Sequence, residues 1–360
     1  MKVLQAGNPN FGYVLARELR KRGIEADLLI SKKAISGIGS YGVTASINDP
    51  LTHDPNLESY PDWIIFDDID KKSKIFHIAK LMKKYDIIHA QEATPIHAMI
   101  SGKPYIVGAV GDDLRKKAFE KSITGFLLRM AYKKANLVVY VWPILKPAVQ
   151  KLGIKSAKFL PRLWDVSNFS NKERHQKDNN LVIFSPTAQL WELKGNDKFL
   201  HAFSRLCKEN YNIFLYMIDW GKDSNKAKEI LNKPSIRDKV EIIPGPISRK
   251  QVAHYMSLSD ILAEQFNTGS YTRIGIESFF FGLPVLINLD EKIHLETHGS
   301  LPEIINAKTE NEIYEKLKHF CQNKKELEKM ADNTRRWAEE QFDMQKNVES
   351  YIEIYQSMIK

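Results

Sequence analysis

Short apolar runs alternate with amphipathic stretches along nearly the whole of the 360-residue chain. Residues 2–6 read as a strand that ends in Gly7-Asn8-Pro9-Asn10-Phe11-Gly12. The spacing after it predicts a helix, with Leu15 and Leu19 on its apolar side and Gly23 as its stop. Residues 26–30 form the next expected strand. The runs 86–89, 105–107 and 137–141 are short, largely apolar and bounded by turns or helices, as strands buried on both faces of a parallel sheet are. Helical patterns over 75–84 and 119–134 lie between them. Strands alternating with helices predict a doubly wound α/β domain.

Over 166–180 the chain turns polar and loses its period, which marks a linker. The alternation then restarts. Strands are expected at 181–184, 213–217, 240–243, 261–263 and 285–287, and helices at 196–208, 250–257 and 274–281. From Glu310 onward the pattern is almost all helical. No internal repeat and no low-complexity segment interrupts this order. The expected organisation is a first Rossmann-like domain over 1–165, a linker over 166–180, a second Rossmann-like domain over 181–335, and a helix over 336–360 that returns toward the first. Ligands of such folds sit outside the carboxyl ends of the strands, so two domains facing each other would share one cleft.

Composition narrows the class. A chain of this length can bury two cores, and 43% apolar with 27% charged residues is ordinary for a globular protein. The opening apolar run is too short for a signal peptide, and no uninterrupted apolar stretch approaches membrane-spanning length. Cys207 and Cys321 match neither a zinc pattern nor a disulfide framework. A soluble, cytoplasmic protein is expected. The net charge of +9 suits anionic lipid headgroups, phosphorylated small molecules or nucleic acid. Because the basic residues have acidic neighbours, as in Glu326-Leu327-Glu328-Lys329, plain solubility is the first reading. Peripheral attraction to an anionic inner membrane face stays open, and nucleic acid is not expected.

The most informative segment runs from Asp260-Ile261-Leu262-Ala263-Glu264-Gln265-Phe266 through Gly269, Ser270, Tyr271, Thr272 and Arg273 to Gly275-Ile276-Glu277 and Gly282-Leu283-Pro284-Val285. It reads as a strand, a Gly-containing loop and a helix that ends before a new strand. Unpaired N–H groups at that helix start, beside Arg273, would make an anion site. Glu277, one turn in, could accept hydrogen bonds from a ribose diol; by itself it reads first as a capping or salt-bridging helix residue. Upstream, Ser185-Pro186-Thr187-Ala188-Gln189-Leu190-Trp191-Glu192-Leu193-Lys194-Gly195 places a lysine in a strand-to-helix loop. A cation there suits a diphosphate leaving group, whose charge grows in the transition state.

These residues resemble the nucleotide-binding signature of glycosyltransferase family 4, retaining enzymes of the GT-B fold. In that family a Glu opens a loop, and a second Glu, at fixed spacing, begins a helix ending in Gly-x-Pro-Val. Glu277 matches the second Glu, and Gly282, Pro284 and Val285 match the ending. Position 269, where the first belongs, is Gly; Glu264 lies upstream at a different spacing. Lys194-Gly195 fits the family's Lys-Gly, which grips the donor diphosphate, and Gln189 stands at the partner Arg position.

Resemblances in the first domain are looser. Gly7 to Gly12 is similar to the family's Gly-rich first loop on the acceptor side. The run 86–89 ends in His89, as a family strand does. Gly111-Asp112-Asp113-Leu114-Arg115 is similar to a His-Gly-x-Asp-x-Arg loop, with Val110 in place of His. Pro161-Arg162-Leu163-Trp164-Asp165 resembles the family's hinge element.

The resemblance implies transfer of a sugar from a nucleotide-sugar, such as a UDP- or GDP-sugar, to a glycan or lipid-linked acceptor with retention. The nucleotide sugar is a substrate, and neither cofactor nor metal is implied. Lys194, Glu277 and Asp112 are the catalytic candidates. Gln189, Gly269, Ser270, Tyr271, Thr272 and Arg273 join Lys194 and Glu277 around the donor; Gly7, Asn8, Gly12, His89, Asp113 and Arg115 fall on the acceptor side. A silent nucleotide-sugar-binding protein, an epimerase of the same fold and a DNA glucosyltransferase are the other readings. Gly37-Ile38-Gly39-Ser40-Tyr41-Gly42 fits a dinucleotide fingerprint without a following helix. Asp68-Ile69-Asp70, before Lys71-Lys72, reads as a solvated loop rather than a metal motif, and Glu339-Glu340 as a solvent-facing pair. No Gly-x-Ser-x-Gly elbow occurs.

Overall fold

The computed structural model describes residues 1–35, 49–54, 57–67, 74–166 and 180–359. The Gly37–Gly42 fingerprint, the Asp68–Asp70 pair and the linker over 167–179 lie outside these residues.

Two compact units divide the chain. One gathers the described residues up to Trp164 together with those from Phe342 on, and the other runs from Asp165 to Gln341. Each is built on one parallel sheet. In the first unit the strands are β1 Lys2–Ala6, β2 Glu25–Ile30, β3 Ile64–Phe66, β4 Ile87–Gln91, β5 Tyr105–Ala109, β6 Leu137–Tyr140 and β7 Ala157–Phe159. They are ordered β3-β2-β1-β4-β5-β6-β7. In the second unit they are β8 Leu181–Ser185, β9 Ile213–Asp219, β10 Val240–Pro244, β11 Ile261–Ala263, β12 Val285–Ile287 and β13 Ile305–Asn306, ordered β10-β9-β8-β11-β12-β13. Every strand pairing is parallel. The central strands are buried on both faces, which explains their unbroken apolar runs.

Helices cover both faces of the first sheet. The helices Lys74–Met82, Pro95–Ser101 and Ile123–Lys134 send Ile78, Ile96 and Leu128 into a core with Ile88 and Val107. On the opposite face the helix Pro9–Lys21 packs with the C-terminal helix Met344–Ile359, whose Val348, Tyr351 and Tyr355 share a core with Phe11 and Leu15. In the second unit the helix Asn196–Lys208 buries Phe199, Phe203 and Leu206, as its spacing requires.

Three expectations need adjusting. The helix read over 119–134 begins at Ile123, because Ser122 caps it by accepting the Gly125 N–H at 3.0 Å; a short turn, Lys117–Phe119, precedes it. The C-terminal helical stretch is three helices, Glu310–Gln322, Glu326–Gln341 and Met344–Ile359, and the second of them ends the second unit. Strands β3, β7 and β13, two or three residues long at sheet edges and less fully buried than the equally short central strands, are not among the expected strands; β7 and β13 lack the unbroken apolar run that marks a strand in sequence. Glu339 and Glu340 are exposed.

Candidate functional site

In the second sheet the strand order reverses between β8 and β11. Loops leaving the carboxyl ends of those two strands therefore diverge, and the crevice they leave is where ligands of such sheets bind. The loop after β8 carries Gln189 and Lys194; the loop after β11 runs from Glu264 to Thr272 and enters the helix Arg273–Phe281.

Backbone and side-chain bonds lock the two loops together. The Phe266 N–H donates to the Lys194 carbonyl at 2.6 Å, and Thr187 Oγ1 donates to the Glu264 carbonyl at 3.0 Å. Asn196 Nδ2 donates to the same Thr187 oxygen at 2.9 Å. Gly195 takes a left-handed φ of 67° after the short helix Trp191–Lys194, and a Cβ there would lie 2.8 Å from Asn267 Oδ1. The glycine of Lys194-Gly195 is thus required by the turn and by the approach of the neighbouring loop.

Glu277 is buried and held by two guanidinium groups. Its Oε1 accepts from Arg273 Nε at 2.6 Å, one helical turn back, and lies 2.7 Å from an Arg249 terminal nitrogen. Arg249 comes from the loop after β10, at the first position of a helix capped by Ser248 and Gln251. Burial pulls the Arg273 guanidinium down to about 10, against the opposing charge of Glu277. It stays cationic at neutral pH.

Glu264 is a second buried carboxyl, at the end of β11. Its Oε1 accepts from the Thr272 N–H, the cap position of the helix, at 2.6 Å. Its Oε2 is buried with no hydrogen-bond partner among the described residues and sits where a Cβ on Gly275 would be 2.4 Å away. Burial pushes this carboxyl up to about 7, and Lys194 opposes the rise. Burial likewise pulls the Lys194 ammonium below its ordinary range, with Glu264 opposing. The helix start expected to bind an external anion thus already has its own carboxyl on one of its N–H groups.

Gly269 adopts a φ of 73°, and its carbonyl accepts the Asp290 N–H at 2.9 Å. A side chain at this position is strained whatever the space around it. Ser270 and Tyr271 join a cluster with His294, His298 and Trp337. Tyr271 Oη is 2.6 Å from His298 Nε2, and Ser270 Oγ is 3.4 Å from His294 Nε2. Gln189 is fully buried, with Nε2 directed 3.5 Å to the Thr187 carbonyl and Oε1 without a partner among the described residues.

In the first unit the order reverses between β1 and β4, and the loops there meet. Asn8 Oδ1 accepts from the Phe11 N–H and from Arg162, both at 3.0 Å, while its Nδ2 donates to Glu92 at 3.0 Å. Glu92 has a φ of 59°, and burial pushes its carboxyl up. Gly7 allows this approach: with φ 113°, a Cβ on it would be 2.4 Å from the Gln91 carbonyl. Asp113 caps its own loop, accepting from the Gly111 N–H and from Tyr132 Oη, both at 2.7 Å. Asp112 is paired with Arg115 and Lys116, each at 3.0 Å.

At two positions expected on the acceptor side, packing by itself accounts for the residue. Gly12 lies inside the helix Pro9–Lys21, where a Cβ would be 2.6 Å from Leu28 Cδ1, so close helix–sheet approach accounts for it. His89 is fully buried beneath the C-terminal helix, its Nδ1 2.8 Å from Tyr355 Oη, and burial pulls it down to about 3. Both are buried among the described residues. Spacing set Glu264 aside and missed Arg249 and Glu92; the signal each offered was a charged residue directly after a strand or opening the helix that follows one.

Among the described residues no group of His, Cys, Asp and Glu side chains stands together as a metal site, and no helix is long and apolar enough to cross a membrane.

Residues 165–337 match the family Glycosyl transferases group 1. The second unit is a group 1 glycosyltransferase domain. The chain is accordingly a glycosyltransferase, and its two parallel-sheet units are those of the GT-B fold. No curated protein is significantly similar to it in sequence. Among solved structures it is similar to a glycosyltransferase from Rickettsia africae, with 15% identity over 100% of this chain and 98% of that one, at a TM-score of 0.70. The HepE protein of Anabaena, solved with UDP and glucose, is 13% identical over 99% and 100%, at 0.73. A sucrose-phosphate synthase from Thermosynechococcus elongatus is 11% identical over 99% of each chain, at 0.71. At these identities the likeness is one of fold.

Proposed function

We propose that the chain transfers a sugar from a nucleotide-sugar donor to an acceptor hydroxyl, and that the donor binds the second unit at the β8–β11 reversal. The observation that carries this reading is the set of Lys194, Arg249, Arg273 and Glu277, brought by loops after β8, β10 and β11 to the carboxyl ends of one parallel sheet. Such a set suits an anionic donor. Lys194 and the helix start of Arg273 face the diphosphate, and the carboxylate of Glu277, fixed by its two arginines, accepts the ribose hydroxyls. As the glycosidic bond to the diphosphate breaks, charge grows on the leaving oxygen, and cations already in place stabilise it without reorganising. The solved HepE complexes with UDP and with UDP-glucose, on the same fold, support a uridine nucleotide as the first probe. Retention of configuration, and a glycan or lipid-linked acceptor, follow from the family resemblance.

Calorimetric titration of UDP, GDP and UDP-glucose into wild type, Lys194→Ala and Glu277→Ala tests the site. The expected result is nucleotide binding weakened about tenfold or more in each variant, the worth of one charge-assisted hydrogen bond. Wild type that binds no nucleotide would refute the donor reading. Proton NMR of the glycosidic product, once an acceptor is found, decides retention.

A further inference from the structure

Eight large hydrophobic side chains are exposed among the described residues, and five of them sit on three neighbouring helices of the first unit. Ile75 and Phe76 are on Lys74–Met82, Ile100 on Pro95–Ser101, and Ile123 and Phe126 on Ile123–Lys134. The first of these helices packs against the second and the second against the third, so they form one layer over the sheet. Their buried sides already fill that core with Ile78, Ile96 and Leu128. Phe76, Ile123 and Phe126, at 74%, 81% and 55% exposure, project from the described surface of the unit.

The segment that carries these three helices is also basic. Residues 74–134 hold ten Lys and two Arg against three Asp and two Glu, a formal +7 of the chain's +9. Buried strands interrupt that segment, so the excess does not read as a block along the sequence. In the fold, Lys80 follows Phe76 by one turn, and exposed Lys83 and Lys84 lie just past the end of that helix. Lys121 directly precedes the cap of Ile123–Lys134, and Lys133 and Lys134 close it. Phe126 and Lys133 fall on one face of that helix, since seven residues make about two turns.

From this juxtaposition we infer that the outer face of these three helices docks on an anionic lipid bilayer, with Phe76, Ile123 and Phe126 entering the headgroup boundary and the surrounding lysines on the phosphates. Large apolar side chains standing singly among lysines are the chemistry of interfacial anchoring, where apolar burial and attraction to anionic lipid add. The positive excess, rather than a flat apolar groove, favours a bilayer over a protein partner. The face belongs to the unit without the nucleotide-binding set, so the inference does not rest on the donor reading.

The test is co-sedimentation of the full chain with large vesicles of phosphatidylcholine alone, or of phosphatidylcholine with a third of phosphatidylglycerol, at low and high salt. Wild type is expected to pellet with the anionic vesicles at low salt, and to remain in solution with neutral vesicles or at high salt. Ile123→Ser/Phe126→Ser is expected to lower the bound fraction strongly. Lys80→Glu/Lys84→Glu is expected to weaken binding by at least about fivefold for each lysine lost. All four positions are exposed, and unchanged melting and circular dichroism would show both variants to be folded. Wild type that stays in solution with anionic vesicles overturns the inference. So does equal binding by both variants, or tighter binding to a duplex DNA oligonucleotide than to the vesicles.

Discussion

The Glu264 carboxyl stands on the Thr272 N–H at 2.6 Å, with its second oxygen buried and unpartnered. Burial raises it to about 7, while an unfolded chain would titrate it near the ordinary 4.5. The folded protein thus holds this proton more tightly than the unfolded one. The associated stability is complete below the unfolded pKa and is lost as pH rises through about 7. A diphosphate bound nearby favours the protonated form further. Between about pH 6 and pH 8 the wild type is expected to lose several-fold in affinity for UDP-glucose and to melt progressively lower, whereas Glu264→Gln stays flat in both. UDP-glucose is the right probe because its diphosphate has no titration in that interval. Parallel pH curves for the two proteins would remove Glu264 from the site.

Gly269 occupies the position where the resembled family carries a carboxylate, and its φ of 73° explains why a side chain is absent. Gly269→Ala is expected to lower stability by about 1 kcal/mol through the left-handed backbone alone. Gly269→Glu is expected to cost at least as much and to leave UDP-glucose affinity no better. Tighter binding in Gly269→Glu, measured by calorimetry, would mean that the loop has room for the family arrangement after all.

How legible this was in the sequence depended on distance along the chain. The helix Asn196–Lys208 and strands β11 and β12 have the bounds that their apolar spacing predicts. Lys194, Arg273 and Glu277 were also visible, because each belongs to a local strand–loop–helix pattern. Arg249 was not: it reaches Glu277 from the loop after β10, and nothing in either segment announces that convergence. Glu264 was set aside on spacing, although the turn at Gly269 and the close approach of Gly275 bring its carboxyl onto the helix start. His89 carries the opposite ambiguity. A histidine in a short strand, here the middle residue of β4, looks the same in sequence whether it meets a ligand or a tyrosine from a helix more than 250 residues away.

Removing the Glu277 carboxylate leaves Arg249 and Arg273 facing each other without their shared counter-ion. Breaking a fully buried pair costs about 3–5 kcal/mol. Both arginines keep partial solvent contact, so roughly 1–3 kcal/mol is expected here. Glu277→Ala should therefore melt lower than Lys194→Ala, although both lose nucleotide affinity. Added chloride or phosphate should recover part of its melting temperature by supplying an anion to the two guanidinium groups. Equal melting of both variants in dilute buffer would show that the Arg249–Glu277–Arg273 cluster contributes little to the fold.

Tyr355 offers a test of the first unit that does not involve the donor set. Its hydroxyl accepts from Gln5 Nε2 at 3.0 Å and shares a 2.8 Å hydrogen bond with His89 Nδ1, and all three side chains are fully buried. Gln5 Oε1 and His89 Nε2 already lack partners among the described residues. Tyr355→Phe keeps the ring packing and deletes only the hydroxyl, stranding two further polar atoms at about 1–3 kcal/mol. For a unit of this size that is a fall in melting temperature of about 2–12 °C. Nucleotide affinity should not change. Burial holds His89 down to about 3, so the loss should be the same at pH 6 and at pH 8. If His89 instead met a ligand, Tyr355→Phe would alter turnover while leaving melting in place, and that pattern would reverse its assignment as a packing residue.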